Sequence, residues 1–145
     1  MKKILVVLLM SFVLVGGFVL VGCNQNFVDI YDNDSKIAGS NSAYSNKSIF
    51  NTTSKEFTVS AGMFTGVRKI KSINLDANPK IDLSIDLSEG RFKVVAVNQD
   101  KIVYIIQEGN ANGVIETTLQ AGNYDLKIVG QNAKIKARVS LEFTY

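Results

Sequence analysis

The strongest constraint on the fold is an alternation of apolar and polar residues with a period of two, which begins near Lys55. The stretch from Lys80 to Leu87 reads KIDLSIDL, with Ile or Leu at every second position and Asp or Ser between them. Successive side chains of a strand point to opposite faces, so the pattern predicts a strand with one buried and one solvated face. No stretch after residue 23 sustains the i, i+3, i+4 spacing of an amphipathic helix.

Further stretches have the same strand character, and short segments rich in Gly, Asn, Asp and Ser separate them. The predicted strands are 56–60, 67–75, 80–87, 91–98, 101–107, 114–119, 124–129 and 135–143. Ser88-Glu89-Gly90 is predicted to be a hairpin turn. The apolar run from Ile102 to Ile106, together with Val97, predicts a strand buried on both faces or a covered edge. The sequence therefore predicts an all-β fold, an antiparallel Greek-key/jelly-roll-like β-sandwich of about eight strands at residues 55–145.

A short sequence near the end of the chain also favours a sandwich. Leu119, Gly122 and Tyr124 have the spacing of the tyrosine corner of Greek-key β-proteins, which this sequence resembles. The resemblance implies that the Tyr124 hydroxyl bonds back to the backbone while its ring joins the core. The stretch 119–143 is similar to the closing hairpin, with a Gly-containing turn, of small sandwich domains in bacterial secreted proteins and lipoproteins. Because such domains serve many roles, this similarity predicts a fold and no activity.

The first 22 residues have a different character from the rest of the chain. Lys2 and Lys3 precede an apolar run from Ile4 to Gly22 that contains no acidic residue. A cationic start followed by an apolar run and small residues is the build of a secretory signal. The run also approaches the length of a membrane-spanning helix, so an uncleaved anchor is the alternative.

The end of this leader, Leu20-Val21-Gly22-Cys23, resembles the lipobox of bacterial lipoproteins. In that family a Leu stands three residues before the Cys and a small residue stands just before it. The resemblance implies cleavage between Gly22 and Cys23 and a thioether bond from Cys23 to diacylglycerol. The protein would then be held by its lipid at the extracytoplasmic face of a bacterial membrane, since two or more acyl chains anchor a protein stably.

Residues 24–54 are rich in Asn, Ser, Asp and Thr and carry only scattered apolar residues, which predicts a flexible linker. The predicted organisation is a signal peptide at 1–22, the lipidated Cys23 with a linker at 23–54, and the sandwich at 55–145. The short piece 27–31 is alternatively a strand or a partner-binding segment. Asp29, Asp32 and Asp34 suggest calcium, but Lys36 and Ile37 occupy positions where the EF-hand needs a ligand and a Gly. We therefore expect a solvated acidic turn and no metal.

The composition excludes several kinds of catalysis. The chain has no His and one Cys, so it lacks a Ser-His-Asp triad, a Cys-His pair and a His-ligated zinc. A carboxylate-only hydrolase remains, but Asp82 and Asp86 would lie about 13 Å apart on one strand, too far without a partner such as Asp125 or Glu116. No Gly-rich phosphate loop precedes a helix, so no nucleotide is expected. We expect no enzyme activity and no cofactor.

The charge gives no support to a nucleic-acid partner, because the basic excess of the chain lies mostly in Lys2 and Lys3. Two basic stripes could bind anionic wall polymer or lipid headgroups, although a mixed solvated surface is the favoured interpretation. A sugar-binding module would need an aromatic platform, and the chain has no Trp. The stripes are Lys134, Lys136 and Arg138, and Arg68, Lys69 and Lys71; the exposed aromatic candidates are Tyr31, Tyr44, Phe50 and Phe64.

These observations predict a non-catalytic, lipid-anchored lipoprotein whose β-sandwich head contacts a protein or the cell envelope. The alternative is a module that binds carbohydrate or wall polymer. A carboxylate-only hydrolase is the third and least supported hypothesis.

Overall fold

The computed structural model describes residues 29–142, and these form one antiparallel β-sheet with a short helix before it. The elements are the helix α1 (Asp34–Gly39) and the strands β1 (Ala43–Asn46), β2 (Ile49–Thr52), β3 (Glu56–Leu75), β4 (Lys80–Asn98), β5 (Val103–Glu108), β6 (Ala111–Glu116) and β7 (Gly122–Glu142). Three of the strands are about 20 residues long, far above the usual five or six. Their length determines the architecture.

The order of strands in the sheet is β1-β3-β7-β4-β5. β2 continues along β3 beyond β1, and β6 continues along β4 beyond β5. The sheet therefore consists of five long antiparallel runs. β7, the last strand of the chain, lies between β3 and β4, which follow each other in sequence.

The sheet folds back on itself near its middle. Leu126 and Val139 both belong to β7 and line one small cavity together with Phe57. In a straight strand these two residues would be about 43 Å apart. Breaks in strand register interrupt β3 between residues 61 and 66 and β4 between residues 87 and 91, which is where the bend lies. The two ends of the sheet thus form two layers that enclose one core.

Every second residue of the long strands faces this core. The pattern is clearest in β4, where Ile81, Leu83 and Ile85 face inward in one layer and Phe92, Val94 and Ala96 do so in the other. All side chains from residue 92 to residue 97 are buried. The predicted all-β, antiparallel, sandwich-like class is confirmed, with seven strands among residues 29–142 in place of about eight.

Several predicted turns are wrong, because the chain does not reverse at those points. The predicted strands 80–87 and 91–98 are one strand, β4, and Gly90 lies at a bulge with φ +77°. The predicted closing hairpin is likewise one strand, β7, in which Asn132 has φ +50°. The strands 56–60 and 67–75 also join into β3. A bulge and a hairpin turn both use Gly or Asn with positive φ, so the sequence alone does not separate them.

The predicted linker is wrong from residue 29 onward. This stretch contains α1, β1 and β2, and the two strands pair with β3. Ile30, Tyr31, Ile37 and Ala38 are all buried. Scattered apolar residues in a polar sequence can therefore dock one by one onto a sheet, without a period that a sequence pattern would reveal.

Candidate functional site

Residues 29–42, here called the strap, cover the outer face of one layer. The face beneath the strap consists of Val67, Val95, Val97 and Val129, which form a second apolar cluster with the four buried strap residues. Polar contacts attach the end of the strap to β3: the Val67 N–H donates to the Ser42 carbonyl and the Lys69 N–H donates to the Asn41 side chain. This layer is therefore covered on both faces.

Tyr31 is the largest side chain that the strap buries, with 1% of its surface exposed. Its hydroxyl donates to Glu108 Oε1 at 2.8 Å. The Arg91 guanidinium and the Lys93 ammonium lie 4.0 and 4.6 Å from the centre of its ring. A cation over an aromatic face is attracted by the ring quadrupole, so both residues hold the ring against β4.

The charges around Tyr31 are arranged as a network. Arg91 donates two hydrogen bonds to Asp32, at 2.7 and 2.9 Å, and approaches Glu108 at 3.4 Å. Burial and the hydrogen bond to Glu108 raise the pKa of Tyr31 well above its usual value. The hydrogen bonds from Arg91 lower the pKa of Asp32. The predicted solvated acidic turn therefore has one member, Asp32, that is part of an ion pair.

Lys127 on β7 holds the other end of the strap. Only 4% of this lysine is exposed, and its Nζ donates to the carbonyls of Ile37, Ala38 and Ser40 at 2.9 to 3.0 Å. These carbonyls belong to the end of α1, which has no intrahelical donors for them. Burial lowers the pKa of Lys127, and the nearby Asp125 opposes that effect.

The residues of the tyrosine-corner resemblance occupy the expected arrangement. The Tyr124 hydroxyl donates to the Gln120 carbonyl at 2.8 Å, four residues upstream. Leu119 and Tyr124 are both buried in the main core, and Gly122 begins β7. Tyr104 packs edge-on against the Tyr124 ring at 6.1 Å. The contacts of Tyr124 are those of a structural residue.

A polar groove of about 470 Å³ lies at one end of the covered layer, between the end of β3, the start of β7 and the β4–β5 loop. The Asn74 amide donates to Asn123 Oδ1, and the Ser72 hydroxyl donates to Asp125. Although partial burial works in the opposite direction, hydrogen bonds from Lys69 and Ser72 lower the pKa of Asp125. The sequence did not indicate this groove, because its residues are distant in the chain.

Most residues of the two basic stripes contact a partner within the chain. Arg138 pairs with Asp82 at 2.9 Å and with Glu56 at 3.7 Å, and Lys134 lies 3.6 Å from Glu89. In the other stripe, the Arg68 guanidinium lies 4.0 Å from the centre of the Phe50 ring, Lys69 pairs with Asp125, and Lys71 donates to the Ser54 carbonyl. The outer surface is thus mixed in charge, as the favoured interpretation had it.

The acidic residues considered for hydrolysis lie on the outer faces of the two layers and do not converge in one cleft among the described residues. Asp82 is bound to Arg138, and Glu116 lies beside Lys80 at the sheet edge. Asp125 lies on the outer face of the other layer, in the polar groove. Asp86 pairs in register with Lys136. Within residues 29–142, no three His, Cys, Asp or Glu side chains are grouped so that they could hold a metal ion.

Three of the four aromatic residues considered as exposed candidates for sugar binding are not well exposed. Tyr31 and Phe64 are buried and Phe50 is half-buried, so only Tyr44 is well exposed. The predicted covered strand at 101–107 is wrong, because β5 is a sheet edge whose outer side has no neighbour among the described strands. Most of the exposed large apolar residues lie on this side of the sheet: Ile102, Tyr104, Ile105 and Val114.

The residues of the lipobox resemblance, Leu20, Val21, Gly22 and Cys23, lie outside the described residues, as do residues 27, 28 and 143 of the predicted segments. Among residues 29–142, the helix is too short to cross a membrane. We compared the chain with models of known protein families, with curated proteins and with solved structures, and it matches none of them.

Proposed function

We propose that this protein is a bacterial lipoprotein, anchored by a lipid on Cys23 at the extracytoplasmic face of a membrane. Its β-sandwich head acts without catalysis, as a module that contacts a protein or the cell envelope. The observation that carries the proposal is the leader with its Leu20-Val21-Gly22-Cys23 sequence, in which the single Cys of the chain stands where lipidation requires it.

The arrangement of the head is consistent with a binding or structural role. Several of its charged side chains are engaged in cross-strand ion pairs, and its tyrosines at positions 31 and 124 are engaged in internal hydrogen bonds. The described residues form two open grooves of about 470 Å³ each. Grooves of this kind suit contact with a surface or a polymer.

The anchor is tested by expressing the full chain and its Cys23→Ser variant in a bacterial host with a clickable palmitate analogue. We expect the parent protein to incorporate the analogue and to require detergent for release from membranes. The variant should incorporate none and keep its leader. Equal labelling of both proteins contradicts lipidation at Cys23.

A second candidate function, binding of carbohydrate or wall polymer, is favoured by the polar groove. Asn74, Asn98, Gln99 and Asn123 bring four carboxamides to its lining, beside Asp125 and Lys101. Carboxamides both donate and accept hydrogen bonds, as recognition of sugar hydroxyl groups requires.

The binding of residues 29–145 to purified wall polymer tests this function. Asn123→Ala is the groove variant, and Asn112→Ala, on β6, is its control. We expect only the groove variant to lose binding; equal binding by all three proteins contradicts the groove as the site.

A further inference from the structure

The ordered head begins very close to the proposed lipid. Five residues lie between Cys23 and Asp29, so the Cα atoms of these two residues are at most about 20 Å apart. From Ile30 onward the strap is docked, because Tyr31 is held by Glu108, Arg91 and Lys93. The tether therefore cannot lengthen without breaking these contacts.

The head is larger than this reach. A domain of this size has a radius of gyration of about 13 Å and is roughly 35 Å across. If the lipid on Cys23 lies in the bilayer, the start of the strap lies within about 20 Å of it. The head then has too little slack to turn its strap-covered layer away from the membrane.

Two exposed isoleucines lie within about 20 Å of the start of the strap. The strap starts beside Glu108, the last residue of β5, and Ile105 and Ile102 follow at about 10 and 20 Å along that strand. Their exposed fractions are 55% and 49%. Ile105 pairs with Val95, so it shares the strap-covered face, and the exposed Lys101 adjoins Ile102.

We propose that the head rests on the lipid surface through the β5 border of its strap-covered face, with Ile105 and Ile102 entering the headgroup region. This inference rests on the proposed lipid anchor. Apolar side chains at such a border gain by leaving water, and a neighbouring lysine can approach lipid phosphates. The opposite layer, with Ile49 on its outer face, points away from the membrane and stays open to partners.

The test uses the full lipidated chain in vesicles of phosphatidylcholine and phosphatidylglycerol. Because Cys23 is the only cysteine and its thioether bond to diacylglycerol blocks the thiol, Ile105→Cys and Ile49→Cys each create one site for a polarity-sensitive dye. Both side chains are more than half exposed, so these substitutions leave the core unchanged. We expect brominated lipids to quench the dye at position 105 at least about two-fold more than at position 49.

Two controls separate the steps of the inference. Co-flotation with vesicles reports the anchor, and quenching reports the orientation. A protein that floats but is quenched equally at both positions overturns the orientation alone, whereas a protein that does not float overturns the anchor and the orientation with it. Inserting about 20 Gly/Ser residues between Asn24 and Gln25 should reduce the difference, since it adds roughly 25 Å of reach. A difference that survives unchanged contradicts the role of the short tether.

Discussion

At the scale of single residues, Tyr31 ties the strap to the sheet, and its protonation state matters for stability. Its pKa is raised in the folded protein by burial and by the hydrogen bond to Glu108. The folded state therefore keeps this proton at pH values where the unfolded chain, with a pKa near 10, loses it. The stability that depends on the protonated hydroxyl is present below about pH 10 and is lost as the pH rises above it.

We predict that Tyr31→Phe costs about 1–2 kcal/mol near pH 7, because the ring stays beneath Arg91 and Lys93 while the bond to Glu108 is lost. The parent protein's advantage should then shrink above pH 10, by up to about 1.4 kcal/mol per pH unit. Urea unfolding of both proteins at pH 7, 9 and 11 measures this. A constant difference across that range contradicts the prediction.

Lys127 offers a second prediction, with a matched control on the same strand. Lys127→Met leaves three buried carbonyls at the end of α1 without their donor, which we expect to cost about 2–3 kcal/mol. Lys136→Met, at an exposed position of β7, should change the free energy of unfolding by less than about 0.5 kcal/mol. Chemical denaturation compares the two, and equal effects would show that Lys127 does not secure the strap.

The sequence predicts some of these residues and not others, for a physical reason. Tyr124 bonds to a carbonyl four residues away, so its role is contained in a local spacing. Tyr31 and Glu108 are 77 residues apart, and Lys127 and Ile37 are 90 apart. Partners that only the fold brings together leave no local spacing to recognise. The polar groove was not predicted for the same reason, because its residues come from distant parts of the chain.

At the scale of elements, each of the five long runs of the sheet contains a residue with positive φ near its bend. The residues are Lys47, Gly66, Gly90, Gly109 and Asn132, with φ between +48° and +116°. The sequence indicated most of these points as strand boundaries, because Gly and Asn end strands more often than they bend them. The sequence predicts the alternating stretches as separate strands, whereas β3, β4 and β7 each join two of them. Their continuity across the bend depends on pairing with neighbouring runs.

Substitution of Gly90 and Gly109 measures how much the close approach of β4 to β7 at the bend contributes to stability. Both have φ +77°, but a Cβ on Gly90 would collide with the Asn132 carbonyl, whereas a Cβ on Gly109 meets nothing within 4 Å. Gly109→Ala should cost about 1–2 kcal/mol, from backbone conformation alone. Gly90→Ala should cost about 1–3 kcal/mol more, from the added clash. Thermal or urea unfolding measures both, and equal losses would show that the close approach to β7 is unimportant.

At the scale of the whole molecule, the folding unit begins with the strap and not at residue 55. The strap covers four valines on the outer face of one layer. β1 and β2 pair with the edge of β3 that does not pair with β7. A chain that starts at residue 43 loses only the cover. A chain that starts at residue 55 also exposes the β3 edge and removes Phe50, which packs against Phe57 and Phe64.

We therefore predict a graded series of stability for three chains that start at residues 29, 43 and 55. Residues 29–145 should unfold cooperatively, and 43–145 should fold but lose roughly 4 kcal/mol or more, since Ile30, Tyr31 and Ile37 no longer bury their side chains. That chain should also bind a hydrophobic dye. Residues 55–145 should aggregate, because an unpaired edge strand with exposed apolar residues templates association. Calorimetry, dye binding and size-exclusion chromatography distinguish the three. If residues 55–145 are as stable as residues 29–145, residues 29–54 act as a linker and contribute nothing to folding. The tether to the lipid would then be long, and it would no longer hold the head in one membrane orientation.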